Sequence, residues 1–315
     1  MDIILHAGAH RTATTSFQAY LRAHGAALKP RGIGFWGPRR TRNGLLYDVV
    51  ERPGSPGAAR RAAGRLGVNL EKSRGLGLRH LVITDENMIG TARNCLRQQA
   101  LYPAIGERMA RLSSAAGGAV QITLQIRSLD HWWASVVAYL VPRGQSRPAP
   151  DAIAALAQGP RSWRAVITDL ACACPDARIQ VTPFECFADR PDLLLQVMTG
   201  EAALPPAETG RFLENRRPDT TALQAALEAR GEDTGGLQEA PVPTRWSPFD
   251  EVQSARLRQA YEQDLAWLRA GADGLATLTE TPQPSTGTEI RTRLPYDLKR
   301  GQEDDGSARK LARDG

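Results

Sequence analysis

Four apolar runs, at 2–6 (DIILH), 80–85 (HLVITD), 118–127 (GAVQITLQIR) and 178–184 (RIQVTPF), have the length and composition of strands. The segments between and after them carry apolar residues at helical spacing, among them 14–24, 130–141, 161–172, 190–199, 219–230 and 250–270. Parallel strands need a long crossover and a helix supplies one, so the alternation predicts an α/β layered fold around a mostly parallel central sheet. In the third run Val120, Ile122, Leu124 and Ile126 alternate with Gln121, Thr123 and Gln125, which predicts one less buried face. No strand separates the helical segments beyond Phe184, so residues of about 185–275 are expected to form a helical C-terminal cap on the sheet.

Composition agrees with a globular chain. Of 315 residues, 42% are hydrophobic and 23% charged, outside the range of disordered or fibrous proteins. One α/β domain over 1–278 is expected, with a Gly/Pro-rich connector at 231–249 and a polar, disordered tail over 279–315. There is no internal repeat, and no apolar stretch of about 18 residues to span a membrane. The N-terminus enters the first run at once, without the features of a secretory signal, which predicts a cytoplasmic protein. Cys95, Cys172, Cys174 and Cys186 have no spacing recurrent in zinc sites and are read as thiols. The net charge of +6 suits an anionic ligand. Nucleic acid is not expected, because nearly all the positive charge is arginine spread along the chain.

Residues 6–18, HAGAHRTATTSFQ, turn from the first run into a helix. Such a turn offers unpaired amide N–H groups and the positive end of a helix dipole to an anion. A nucleoside-triphosphate loop would read G-x-x-x-x-G-K-[ST]. From Gly8 this chain has Ala13 in place of the second glycine and Thr14 in place of the lysine, which argues against a kinase or NTPase. The cation stands instead at Arg11. Read alone, Thr14, Thr15 and Ser16 are equally a capping cluster.

The whole string resembles the H-x-G-x-H-K-T-[GA]-T-T-S-x-Q loop of bacterial sulfotransferase-like proteins of the P-loop superfamily. The resemblance implies a P-loop-type three-layer fold. It also implies that Arg11, Thr12, Ala13, Thr14, Thr15 and Ser16 cradle the 5′-phosphosulfate of 3′-phosphoadenosine 5′-phosphosulfate (PAPS), leaving 3′-phosphoadenosine 5′-phosphate (PAP) as product. Arg11 replaces the family's lysine, keeping the charge but changing a compact donor to a planar fork. In LQIRSLDHWWASVVAY (124–139), Arg127 and Ser135, eight residues apart, match the family's pair for the 3′-phosphate, with Asp130 able to cap the helix and Trp132, Trp133 and Tyr139 read as packing residues. The stretch ITDENMIG matches a family S-[DE]-E-N-like stretch, which makes Glu86 the candidate base, followed by Asp85, with His10 as rival. The plain alternative is that Asp85 caps a turn and Glu86 pairs with an arginine. His6, His24 and His80 are read as structural.

More loosely, VTPFECF (181–187), ENRRPDTTALQAAL (214–227) and LRQAYEQDLAWLRAGA (257–272) resemble the family's C-terminal half, with Asn215, a Y-x-x-D-L string, and Arg216 and Arg217 as placeholders for a basic loop. The family's activity would be transfer of a sulfuryl group from PAPS to a hydroxyl or amine, with a carboxylate base and no metal. A non-catalytic PAPS or PAP binder is the alternative. The acceptor stays open between carbohydrate, lipid and small metabolite, as does the oligomeric state; Arg39, Arg40 and Arg42 are candidates to line a pocket for an anionic acceptor.

Overall fold

The computed structural model describes residues 1–51, 54–118, 120–208, 210–212, 214, 217–235, 237 and 246–281. Asn215, Arg216, much of the connector and residues 282–315 lie outside them. The order is β1 (Asp2–His6), α1 (Thr14–Leu28), β2 (Ile33–Trp36), α2 (Pro38–Thr41), α3 (Tyr47–Val50), α4 (Pro56–Arg74), β3 (His80–Thr84), α5 (Ala92–Gln98), α6 (Ile105–Ala115) and β4 (Gln121–Ile126). There follow α7 (Leu129–Leu140), α8 (Pro150–Gln158), α9 (Trp163–Ala173), β5 (Arg178–Pro183), α10 (Phe184–Phe187), α11 (Pro191–Thr199), α12 (Thr220–Glu228), α13 (Glu251–Arg269) and β6 (Thr277–Leu278). No helix among the described residues is long and apolar enough to cross a membrane.

All six strands are parallel, in the order β2-β3-β1-β4-β5-β6. Period-two alternation sends Ile3, Leu5, Leu81, Ile83, Ile122 and Leu124 into one core, shared with α6, α7, α9 and α13. Ile4 and Val82 point the other way, onto Phe17, Tyr20 and Leu21 of α1 and Leu194, Leu195 and Met198 of α11. Helices on both faces are the usual requirement of an all-parallel sheet.

Three expectations are corrected. The polar face of β4 is not less buried: Thr123 is 0% and Gln125 1% exposed, because α1 and α11 cover that face. Two strands carry no legible signal. β2 is four residues with Gly34 inside it, where a Cβ would lie 2.5 Å from Leu78 Cδ1. β6 is two residues long, so the chain beyond Phe184 returns to the sheet after its helices. The Thr279 N–H then donates to the Val181 carbonyl at 2.9 Å, and Glu280 pairs with Arg269, so the first two residues of the expected tail belong to the ordered edge.

Candidate functional site

The sheet's strand order reverses around β1, whose neighbours are β3 and β4. The crevice outside the carboxyl ends of such strands is where open α/β sheets bind ligands. The loop after β1, Glu86 after β3 and Arg127 after β4 all reach this crevice, where they line a cavity of about 790 Å³.

The loop is held from below. Ala7 and Ala9 donate their N–H groups to the Thr123 and Gln125 carbonyls at 2.9 and 3.1 Å, extending β1 along β4. Thr12 is fully buried, its N–H and Oγ1 both donating to the Ala9 carbonyl at 3.2 and 2.5 Å. Arg11 (φ 67°) and Ala13 (φ 62°) are left-handed, a conformation that costs a non-glycine residue on the order of 1 kcal/mol and concentrates at ligand-binding turns. Ala13 is the residue before α1 and makes no side-chain cap, so the alternative reading of Thr14, Thr15 and Ser16 as a capping cluster is not supported. Ala13, Thr14, Thr15 and Ser16 line the cavity instead. Thr14 Oγ1 is buried without a hydrogen-bond partner, and Ser16 Oγ accepts from the Glu214 N–H at 3.2 Å.

Gly8 makes this turn possible. A Cβ there would lie 2.5 Å from Thr14 Oγ1 and 2.9 Å from His6 Nε2. Gly8→Ala is expected to lower stability by about 1–3 kcal/mol, the usual cost of overpacking; urea unfolding checks it, and an unchanged midpoint would contradict the close approach.

The two arginines converge. Arg127 Nη1 donates to the Arg11 carbonyl at 2.9 Å, with its guanidinium 4.3 Å from the Phe184 ring centre. Arg11 Nε donates to Ser135 Oγ at 3.0 Å, and its guanidinium lies 4.8 Å from the Tyr139 ring centre. Burial, with the Arg127 charge adding to it, lowers the Arg11 pKa to about 10, so Arg11 stays cationic at neutral pH. Two like charges kept together in a partly enclosed cavity make an anion's place. Arg217, Arg258 and His131 also line the cavity, with Arg258 Nε 3.6 Å from Asp130 Oδ2, a carboxylate that further accepts from Ser128 Oγ at 2.6 Å and the His131 N–H at 2.8 Å.

Asp85 and Glu86 part company. Asp85, 3% exposed, accepts from Thr41 Oγ1 at 2.6 Å, from the Arg42 fork (Nη2 at 2.9 Å, Nε at 3.2 Å) and from the Asn87 N–H at 3.1 Å. It is a fully satisfied buried carboxylate away from the cavity. Glu86 lines the cavity, with Oε1 accepting from Arg42 Nη2 at 2.8 Å and Oε2 from Gln18 Nε2 at 3.4 Å. Both plain roles, the turn cap and the arginine partner, are therefore present, and only Glu86 combines its role with access. Arg40 lies 4.3 Å from the Trp36 ring centre, so that of the basic cluster at 39–42 it is Arg42 that touches this region.

His10 is pinned. Tyr102 OH accepts from the His10 N–H at 2.7 Å and donates to Nδ1 at 3.0 Å, which leaves the Nε2–H to donate to Asn87 Oδ1 at 3.1 Å. Burial lowers its pKa. Beneath, His6 is wholly buried, with Nδ1 2.9 Å from Thr84 Oγ1 and a pKa lowered by burial to about 3. A free histidine titrates near 6.5. The unfolded chain therefore takes up a proton below about pH 6.5 that the folded chain excludes, so stability falls from that value toward about pH 3, by on the order of 1.4 kcal/mol per pH unit. His10 adds a slope of the same sign. His6→Asn keeps a polar atom near Nδ1 and should flatten this loss; urea unfolding at about pH 7 and about pH 4.5 measures it, and an undiminished acid loss would rule it out.

Sequence reasoning missed the frame behind these residues. The Y-x-x-D-L string is a clasp: Tyr261 OH donates to Glu185 Oε2 at 2.9 Å, while Asp264 accepts from Ser162 Oγ at 2.7 Å and the Trp163 N–H at 2.8 Å. Glu185 Oε1 accepts the Ser128 N–H at 3.0 Å. Trp163 Nε1 donates to the Arg127 carbonyl at 2.7 Å, and Trp132 Nε1 to the His10 carbonyl at 2.7 Å. The two indoles fix the backbone from which both arginines project. Tyr139, read as packing, is a cavity wall. A tyrosine four residues after Ser135 on the same helix face was the available signal.

No protein-family profile, curated protein or solved structure matches this chain.

Proposed function

We propose that the chain is a sulfotransferase that moves a sulfuryl group from PAPS to a hydroxyl or amine acceptor, on a P-loop-type three-layer fold with α10–α13 as a C-terminal cap. The observation that carries this reading is the convergence of Arg11, Arg127, Ser135, the uncapped start of α1 and Glu86 on one cavity at the carboxyl ends of β3, β1 and β4. The donor is an anion at both ends, and the cavity is lined by the start of α1 and by two arginines, Arg11 and Arg127.

In this scheme the amides of Ala13, Thr14, Thr15 and Ser16 hold the 5′-phosphosulfate, while Thr12 braces the loop from within. Arg127 holds the 3′-phosphate, and Arg11 balances charge on the departing phosphate. Ser135 positions Arg11 through its hydroxyl. The acceptor's proton passes to Glu86 as its oxygen or nitrogen bonds to sulfur and the sulfur–oxygen bond to PAP breaks. Calorimetric titration of PAP is the test: micromolar or tighter binding is expected, with ATP far weaker, and no heat with PAP would end the reading.

One observation favours the non-catalytic binder. Arg11 donates to Ser135 and lies against Tyr139, whereas a lysine would be a mobile point charge at the sulfate. Arg11→Lys separates the cases: a modest change in an active parent supports the enzyme, and a large gain from an inactive parent supports the binder.

A further inference from the structure

A second cavity, of about 510 Å³, opens between α5, α8 and the segment that follows α7. Its floor is apolar, made by Leu96, Leu156 and Pro148. Its rim carries Arg93, Arg97 and Arg147, and no Asp or Glu is among the described residues that line it. Arg93 donates to Gln145 Oε1 at 3.1 Å and to the Arg143 carbonyl at 3.2 Å, Arg97 to Asn94 Oδ1 at 2.7 Å and Arg147 to the Gly235 carbonyl at 2.8 Å. All of these acceptors are neutral. Elsewhere the chain neutralises the arginines it builds with, as in the pairs Arg42–Asp85, Arg108–Glu51, Arg161–Asp169 and Arg190–Asp192. Around this cavity three like charges are oriented by hydrogen bonds and, among the described residues, paired with no carboxylate, which favours an anion with an apolar part to cover the floor.

The cavity's walls continue from the first one. Thr91 on its edge is five residues beyond Glu86, and Gln145 is six beyond Tyr139, so the two cavities lie within about 20 Å along either path. Arg143, between them, sits 3.8 Å from the Tyr139 ring centre, on the ring that also receives Arg11.

We propose that this second cavity binds the acidic end of the acceptor, a carboxylate, phosphate or sulfate carried on an apolar body, while the acceptor's hydroxyl reaches Glu86. The acceptor role rests on the transferase reading; the anion site does not. The test titrates ω-hydroxydodecanoate calorimetrically into the full chain and into the Arg93→Gln/Arg97→Gln variant, with PAP titrated in parallel. Both arginines are exposed, so the variant should fold, and its unfolding temperature checks this; Arg147→Gln serves as a second variant. The acid is expected to bind the parent and to bind either variant about tenfold or more weakly, with PAP affinity unchanged. Dodecanol and acetate should each bind about tenfold or more weakly than the acid. Equal binding of the acid by parent and variants overturns the site, as does acetate or dodecanol binding as tightly as the acid. If PAP binds neither protein while the acid behaves as expected, the anion site stands and its role for an acceptor falls with the transferase reading.

Discussion

Glu86→Gln should lower turnover by about 10²- to 10⁴-fold, the usual contribution of a positioned general base, while PAP binds as tightly as to the parent. The substitution keeps the size of the side chain and an oxygen for Arg42, whose Nη2 lies 2.8 Å from Glu86 Oε1, so the cavity wall should hold its shape. The ability to accept a proton is removed, together with the charge that pairs with Arg42 and the oxygen that faces Gln18. The Glu86 side chain is 21% exposed, which leaves it reachable by an acceptor. Turnover of PAPS on any acceptor the parent uses, together with PAP calorimetry, measures the two quantities separately. Normal turnover would move the base elsewhere. His10 is a poor substitute, since Tyr102 and Asn87 occupy both ring nitrogens.

The sequence revealed the architecture where its signals were local and failed where they were tertiary. β1, β3, β4 and β5 are apolar runs that can be read alone, and α7, α9, α11 and α13 start within two residues of their expected places. β2 and β6 are too short to carry periodicity; they are strands because β3 and β5 offer edges to pair with. The polar side chains of β4 look solvated in sequence, yet Thr123 reaches Gln180 at 3.4 Å and Gln121 the Met198 carbonyl at 3.0 Å under α11, partners far along the chain. The site divides in the same way. Loop, arginines and carboxylate are picked out through the resemblance of their motifs to a family, whereas the clasp made by Glu185, Tyr261 and Asp264 with Ser128 and Ser162 depends on side chains brought together from four distant segments. Asp85 and Glu86, adjacent and chemically alike, could be told apart only by burial: Asp85 caps the helical turn at 86–89 and is held by Thr41 and Arg42, while Glu86 opens that turn on the crevice.

Arg127→Ala should abolish most of the preference for PAP over adenosine 5′-phosphate, a loss of about a hundredfold. The two nucleotides differ only in the 3′-phosphate, so their affinity ratio reports the contacts to that group and cancels those to the rest. A guanidinium that gives two charge-assisted hydrogen bonds to phosphate contributes about 1.5–3 kcal/mol for each, and about 2.7 kcal/mol in total already accounts for a hundredfold. The structure gives Arg127 little freedom to be replaced: its carbonyl is held by Trp163, its fork rests on Phe184, and its Nη1 also supports the left-handed turn at Arg11. This last contact means that the alanine variant should weaken the binding of both nucleotides in addition to losing the preference. Arg127→Lys separates the two effects, because it retains charge for the phosphate but not the planar fork that reaches the Arg11 carbonyl. It should keep part of the preference while both affinities fall. If the alanine variant discriminates as the parent does, the 3′-phosphate lies elsewhere, with Arg217 and Arg258, which also line the cavity, as the next residues to test.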